Sequence, residues 1–235
     1  MTESLYYNDS YLKEFQAMVM EVVGNGVVLD RSAFYPGGGG QPSDVGTLHA
    51  GNVTYQVTKV SRREGKILHE LDKAPPAVGA QVTGIIEWDR RYKLMRTHTA
   101  LHILCGVVWK EYGALVTGGD MQPLQARMDF ELERMSTDFA QEVEERVNRE
   151  VAAARPVTTA VLPREEAFRN PDLIRTKINL LPPGIQEVRV VDIQGLDLQA
   201  DGGTHVANTR EVGHIRVVGH ESKGRINKRL RIQVE

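Results

Sequence analysis

The chain has one cysteine, Cys105, among 235 residues. An intramolecular disulfide is therefore excluded, and the composition suits a reducing, cytoplasmic location. No apolar run approaches the roughly 18–20 residues that a membrane helix needs. The stretch Met1-Thr-Glu-Ser-Leu-Tyr-Tyr has neither a basic start nor an apolar core, so no signal peptide is expected. A net charge of −2 does not announce a nucleic-acid binder. The glycines Gly37 to Gly40 lack the Gly-Lys-Ser/Thr that a phosphate-cradling loop would carry next, which argues against a nucleotide-phosphate role. No Ser-His-Asp arrangement is recognisable and Cys105 has no obvious base, so no protein nucleophile is expected. Internal repeats and low-complexity segments are also missing.

What the chain does have is two short stretches with matched spacing. The first is Arg96-Thr-His98-Thr-Ala-Leu-His102-Ile-Leu-Cys105, inside an apolar-rich, proline-free run from Met95 to Trp109 that reads as a helix. On a helix, residues four apart share a face, so His98 and His102 aim both imidazoles at one point. Zinc requires this of two nitrogens bound at about 2.0–2.1 Å. Thr99 stands where the metalloprotease motif H-E-x-x-H needs its glutamate, so that kind of peptidase is not expected. The second stretch is Asp201-Gly-Gly-Thr-His205-Val, which repeats the spacing in a loop that Gly202 and Gly203 allow to fold tightly. A lone histidine pair reads equally well as a half-buried helix face. Two such pairs read as one zinc (Zn2+) site, with His98, His102, Asp201 and His205 as its ligands. Cys105 shares the histidine face but reads as a core residue.

The length allows one large domain or two small ones. From about Leu5 to Ile86 the sequence is mostly β: Met18–Val23, Gly26–Asp30, Val53–Val60 and Lys66–Leu71 alternate, with turn residues between them. The expected class is α+β. A small N-terminal β-barrel-like domain, residues 1–88, carries the glycine-rich loop, and residues 89–235 form a domain with helices on a largely antiparallel sheet. Within the second domain Glu111–Asp120 breaks the histidine helix and Ala126–Leu132 alternates like a strand. Ser136 or Thr137 caps a helix whose core stripe is Phe139, Val143, Val147 and Val151. Val157–Val161 and Gln186–Ile193 are expected strands. Arg164–Lys177 reads as a short helix or helix-loop, and Leu181–Gly184 as a turn. Leu196–Gln199 leads into the Asp201 loop. Glu211–Gly219 and Arg225–Val234 close the chain as strands. His49 and His69 have no ligand partner at useful spacing and read as solvated or hydrogen-bonded. From Arg210 to Glu235 there are seven Lys or Arg against three Glu, a local charge of +4.

His-Thr-Ala-Leu-His, followed much later by Gly-Gly-Thr-His-Val, resembles the editing domain of alanyl-tRNA synthetase. It is still more similar to the freestanding AlaX-type alanyl-tRNA editing proteins. The resemblance extends to Phe34-Tyr-Pro-Gly-Gly-Gly-Gly-Gln-Pro-Ser-Asp-Val-Gly46, which is similar to the glycine-rich motif of the medium and long members. It also covers Leu162–Ala167 and Thr209–Gly213, so nearly the whole chain is matched in order. The family usually carries cysteine where this chain has Asp201. The resemblance implies a zinc-dependent aminoacyl-tRNA hydrolase acting through a zinc-bound water. Its partner would be tRNA(Ala) mischarged with serine, and also with glycine, and no obligate protein partner is evident. Thr117 roughly matches the family threonine that binds the serine hydroxyl, and the glycine-rich loop, with Gly38, Gly39 and Gln41, would help recognise the substrate. Arg96, Lys223, Arg225, Lys228 and Arg229 are candidates for tRNA backbone contact. Two other readings stand beside this one: an RNA-binding module whose zinc is structural, and an editor of another mischarged tRNA, such as one for threonine.

Overall fold

In Glu14–Val23, Phe15, Ala17 and Val19 turn inward while Glu14, Gln16 and Glu21 face outward or lie at the rim. This two-residue period is what makes a strand with one wet side. The same pattern recurs along the first part of the chain. The computed structural model describes residues 2–133, 137–170, 173–176 and 184–235. It separates into two units, Met1–Tyr92 and Lys93–Glu235.

The first unit contains β1 (Glu3–Ser4), β2 (Glu14–Val23), β3 (Gly26–Leu29), β4 (Arg31–Ser32), β5 (Gly46–Ala50), β6 (Val53–Arg63), β7 (Lys66–Leu71) and β8 (Gln81–Ile86). Six of them close into an antiparallel barrel in the order β2-β3-β7-β6-β5-β8. Closure leaves no free sheet edge. Its interior holds Phe15, Val27, Phe34, Leu48, Val57, Ile67, Leu71 and Ile86. The sequence expectation of a small barrel is met.

The glycine-rich run joins β4 to β5. Gly37 to Gly40 all have positive φ, from 58° to 138°, a region that side chains other than glycine's rarely enter. Gly38 and Gln41 exchange backbone hydrogen bonds of 2.9 and 3.0 Å, and the Tyr35 hydroxyl donates to the Gly38 carbonyl at 3.0 Å. Arg91 and Asp44 hold the base of this loop as a fully buried ion pair. Arg91 Nε meets the two carboxylate oxygens at 2.9 and 3.0 Å, and its Nη groups donate to the carbonyls of Ser10 and Ala33.

His69 is buried in the same unit. Its Nδ1 donates to the Val27 carbonyl at 3.2 Å, and the Ser32 hydroxyl sits 2.7 Å from Nε2 while accepting from the Phe34 N–H. Every proton in this chain has a place only if the imidazole is neutral, and burial pushes its pKa down to about 4. An unfolded His69 takes up its proton near pH 6.5. The unfolded state therefore binds the extra proton first, and stability is lost as pH falls from about 6.5 to about 4, by on the order of 3 kcal/mol. Hydrogen exchange of the β3 and β7 amides at pH 7.5 and 4.5 is expected to show this loss in the native chain and a smaller one in His69→Gln. Equal acid sensitivity of the two would remove His69 as the cause. His49, by contrast, is only half-buried and sits between the Thr47 and Thr54 hydroxyls.

The second unit is built around α1 (Trp88–Tyr112), whose first residues precede the unit boundary. From Thr97 to Val108 every residue of α1 is buried. Then follow β9 (Val116–Gln122), β10 (Gln125–Glu131), α2 (Thr137–Ala152), β11 (Val157–Pro163), α3 (Arg164–Ala167), β12 (Glu187–Ile193), β13 (Asp197–Ala200), β14 (Ile215–Ser222) and β15 (Asn227–Val234). They form two antiparallel sheets, β14-β15-β10-β9 and β11-β12-β13. The class is α+β, as expected. In α2 Val143, Val147 and Val151 are buried along the expected stripe, with Ala140 beside them. The expected cap at Ser136, the Pro171 and Lys177 parts of the segment 164–177, and the turn at Leu181–Pro183 lie outside the described residues. The strand β9 corrects the sequence reading: its Thr117-Gly118-Gly119-Asp120 core looks like a break, but Gly118, Gly119 and Asp120 pair with β10 and the register shifts at Thr117 before Val116 pairs with Phe130.

Candidate metal centre

His98 and His102 stand one turn apart in the buried part of α1. Asp201 and His205 come from the loop that leaves β13. The loop is shaped by its own polar groups: the Gly203 N–H donates to Asp201 Oδ2 at 2.7 Å. Arg189, from the buried strand β12, donates to the Asp201 carbonyl at 2.9 Å, and its own carbonyl accepts from the Asp201 N–H at 3.1 Å. These bonds hold the loop against β12, and the Thr99 hydroxyl of α1 meets it at His205 and Val206, more than one hundred residues away in sequence.

The result is a cluster in which one donor atom from each of His98, His102, Asp201 and His205 lies within 4.8 Å of the other three. His205 Nε2 is 3.0 Å from Asp201 Oδ2, and His98 Nε2 is 3.6 Å from Asp201 Oδ1. The His98 and His205 rings stack at 4.2 Å, while His102 meets each of them edge-on at 5.1 and 4.7 Å. A tetrahedral zinc with bonds of about 2.0–2.2 Å separates its donors by roughly 3.3–3.6 Å. The two separations to Asp201, 3.0 and 3.6 Å, lie near that range and all four donors fall within 4.8 Å; three nitrogens with one oxygen are ligands that zinc accepts, so the donor set fits the ion.

The protonation states suit a cation as well. Burial holds His98 well below the ordinary imidazole range, and burial brings His205 to about 4. Burial alone would raise Asp201, but the adjoining imidazoles reverse this and hold the carboxyl well below its usual range. His102 differs. Burial pulls it down, and the Asp197 carboxylate, hydrogen-bonded to Nδ1 at 3.0 Å, outweighs that and raises it. On His205 the outward nitrogen, Nδ1, lies 3.1 Å from the Thr99 hydroxyl, which also accepts from the Val206 N–H at 3.2 Å. Both contacts leave the Nε2 atoms of His102 and His205 to face the cluster. Asp201 is the most open of the four, with its side chain 14 % exposed against 8 % or less for the histidines.

All four sequence-predicted ligands are thus brought together. Cys105 is not among them: it is buried, and burial pushes its thiol up. Thr117 is exposed on β9, where its hydroxyl donates to Asn227 Oδ1 at 2.8 Å. In the barrel unit Gly38 and Gly39 are exposed at the loop tip, while Gln41 is buried. The basic candidates divide. Lys223 and Arg225 are exposed. Lys228 is 6 % exposed, and its ammonium donates to the Ser222 hydroxyl and to the Gly224 and Arg225 carbonyls. Arg229 grips Asp129 with two hydrogen bonds of 2.7 and 2.8 Å. Arg96 donates to the Val212 and Glu235 carbonyls. Asp197, Arg189 and the supporting role of Thr99 are not visible in any local spacing.

A β-barrel unit, an α+β unit and a largely buried three-histidine, one-carboxylate cluster define a protein with a candidate divalent-metal centre. Family models match at both ends of the chain: "tRNA synthetases class II (A)" over residues 3–90, and "Threonyl and Alanyl tRNA synthetase second additional domain" over residues 188–231. The chain is 43 % identical over 235 residues to the alanyl-tRNA editing protein AlaX-M of Saccharolobus solfataricus, with 98 % of each chain covered. It is 40 % identical over 237 residues to AlaX-M of Methanosarcina barkeri, again with 98 % of each covered. It is also 40 % identical over 224 residues to the alanine–tRNA ligase of Archaeoglobus fulgidus, covering 94 % of this chain and 24 % of the ligase. The chain belongs to the AlaX-M family of alanyl-tRNA editing proteins. No described helix is long and apolar enough to cross a membrane.

Proposed function

We propose that the protein hydrolyses the ester of tRNA(Ala) mischarged with serine, and also with glycine, at a zinc centre held by His98, His102, Asp201 and His205. The observation that carries the reading is the convergence of these four side chains in a member of the AlaX-M family. Zinc bound there supplies a Lewis acid that polarises a carbonyl or lowers the pKa of water. The chain's own part is positional. Three buried imidazoles present ring nitrogens, and Asp201 is the most open of the four. Cys105 is buried with its thiol pushed towards the protonated form, so it is not the nucleophile.

Discrimination against alanine requires a group for the serine hydroxyl, and a site that hydrogen-bonds a hydroxyl rejects the analogue lacking it strongly. Thr117 is assigned that role. Its own proton goes to Asn227, which leaves its oxygen lone pairs to accept from a substrate hydroxyl. For the barrel loop, recognition is assigned to the exposed main chain of Gly38 and Gly39, with Gln41 buried at the base of the same loop and pairing with Gly38. The test is deacylation of Ser-tRNA(Ala) against Ala-tRNA(Ala). Rapid loss of serine with alanine spared is expected; equal rates, or no hydrolysis of either, would reject the proposal. Four convergent protein donors also favour a second reading, a closed structural zinc in an RNA-binding module, and that reading predicts zinc without hydrolysis.

The tRNA-contact proposal narrows to Lys223 and Arg225, because Lys228 and Arg229 are held by internal partners. Replacing both with Gln is expected to weaken tRNA binding and to flatten the log–log salt dependence by roughly two. Replacing Lys228 is expected to act on stability instead. Binding isotherms at several salt concentrations decide it, and an unchanged slope in the double variant would show that the two charges face away from the tRNA.

A further inference from the structure

The Asp197 carboxylate, on β13, lies behind His102 and is shut off from solvent. Its Oδ2 takes both of its hydrogen bonds, one with His102 Nδ1 at 3.0 Å and one from Gln199 Nε2 at 2.7 Å. Its Oδ1 is buried and has no hydrogen-bond partner among the described residues. A half-satisfied buried carboxylate is costly, and such a group in a native fold calls for an explanation. If β13 needed only an acceptor for an imidazole N–H, an asparagine would serve without a desolvated charge. The packing also makes room for the group. A Cβ on Gly106 of α1 would come within 3.0 Å of the Asp197 Cβ and of Leu196 Cγ, so the helix carries glycine where it passes Asp197. On His205 the outward nitrogen, Nδ1, meets a neutral hydroxyl, that of Thr99.

We propose that Asp197 is a positioning residue for the metal. It keeps the His102 proton on Nδ1, so that Nε2 faces the cluster, and its negative charge makes that imidazole a stronger nitrogen donor than His205, whose outward partner is a neutral hydroxyl. Partners of this kind, hydrogen-bonded to a ligating histidine, orient the ring and raise its basicity, and their loss typically costs 10–100-fold in metal affinity or activity. Asp197 and Asp201 then divide the work. Asp201 offers an oxygen to the ion from the open side, and Asp197 balances charge from the buried side through His102.

The inference rests on the zinc reading above, so the experiment separates the two. Zinc affinity is measured by competition with a chromophoric chelator, and the visible spectrum of the cobalt(II)-loaded protein reports the ligand field. The proteins are the wild type, His98→Ala, Asp197→Asn and Gly106→Ala, with circular dichroism of each to check the fold. The wild type is expected to bind tightly, and His98→Ala to lose the metal. Asp197→Asn, which keeps the shape and removes the charge, is expected to bind roughly 10–100-fold more weakly and to shift the cobalt bands. Gly106→Ala displaces Asp197 without altering any polar group, and is expected to shift the same bands by less; it carries the test if Asp197→Asn does not fold. Wild-type affinity and an unmoved spectrum in the Asp197 and Gly106 variants, with His98→Ala still deficient, would overturn the role of Asp197 and leave the zinc reading standing. A wild type that takes up no zinc would overturn both.

Discussion

Replacing His98 with alanine is expected to reduce zinc content from about one ion per chain to near none, and to reduce Ser-tRNA(Ala) hydrolysis by more than the roughly 100-fold typical of losing a ligand's hydrogen-bond partner. His98 stacks on His205 at 4.2 Å and lies 3.6 Å from Asp201, so its removal takes a donor from the middle of the cluster. Asp201 gives the graded comparison. Asp201→Ala removes the open-side oxygen and is expected to slow hydrolysis, whereas Asp201→Cys places a thiolate there and is expected to keep the metal, because cysteine sulfur binds zinc well. Metal analysis and single-turnover deacylation on the same preparations make the measurement. Full zinc content in His98→Ala would remove that residue from the ligand set. A wild-type rate in Asp201→Ala would mean that three histidines suffice.

The second large effect concerns stability. Arg91 and Asp44 are both buried in the barrel unit, and breaking such a pair by removing one partner leaves an uncompensated charge, at about 3–5 kcal/mol. Arg91→Met is therefore expected to destabilise the barrel by that amount. It also frees the carbonyls of Ser10 and Ala33 and loosens the base of the glycine-rich loop, because Asp44 Oδ2 accepts from the Tyr35 N–H at 2.6 Å. The double variant Arg91→Met/Asp44→Leu, with no orphaned charge, is expected to recover part of the loss. Urea unfolding followed by hydrogen exchange in β2, β5 and β8 would measure both. A cost below 1 kcal/mol for Arg91→Met would show that water reaches Asp44.

Local spacing made the candidate ligands legible. The four-residue step in α1 is fixed by helix geometry, and its repeat at Asp201–His205 marked the second segment. The support for those ligands is another matter. Asp197 meets His102 only because β13 passes behind α1, and nothing in the spacing between residues 102 and 197 signals it. The strand β9 was hidden by Gly118 and Gly119, which have little strand preference of their own; pairing with β10 supplies what propensity does not. The basic tail shows the reverse, a pattern present but outweighed by a charge count. In β15 Lys228 alternates in phase with Leu230, Ile232 and Val234, all buried, so the period-two rule places it on the inner face. The ends of α1 were underestimated because a helix buried on every side from Thr97 to Val108 shows no amphipathic stripe to mark its extent.

The composition of the cluster has a consequence for oxidation. Its four candidate donors are nitrogen and oxygen, with no sulfur among them. Peroxide attacks exposed, ionised thiolates and carries them to sulfenic and higher acids. The protein's single thiol is shut inside α1 and held protonated. A cluster of nitrogen and oxygen donors presents no thiolate for an oxidant to attack, so peroxide treatment of the protein is expected to leave all four side chains unchanged.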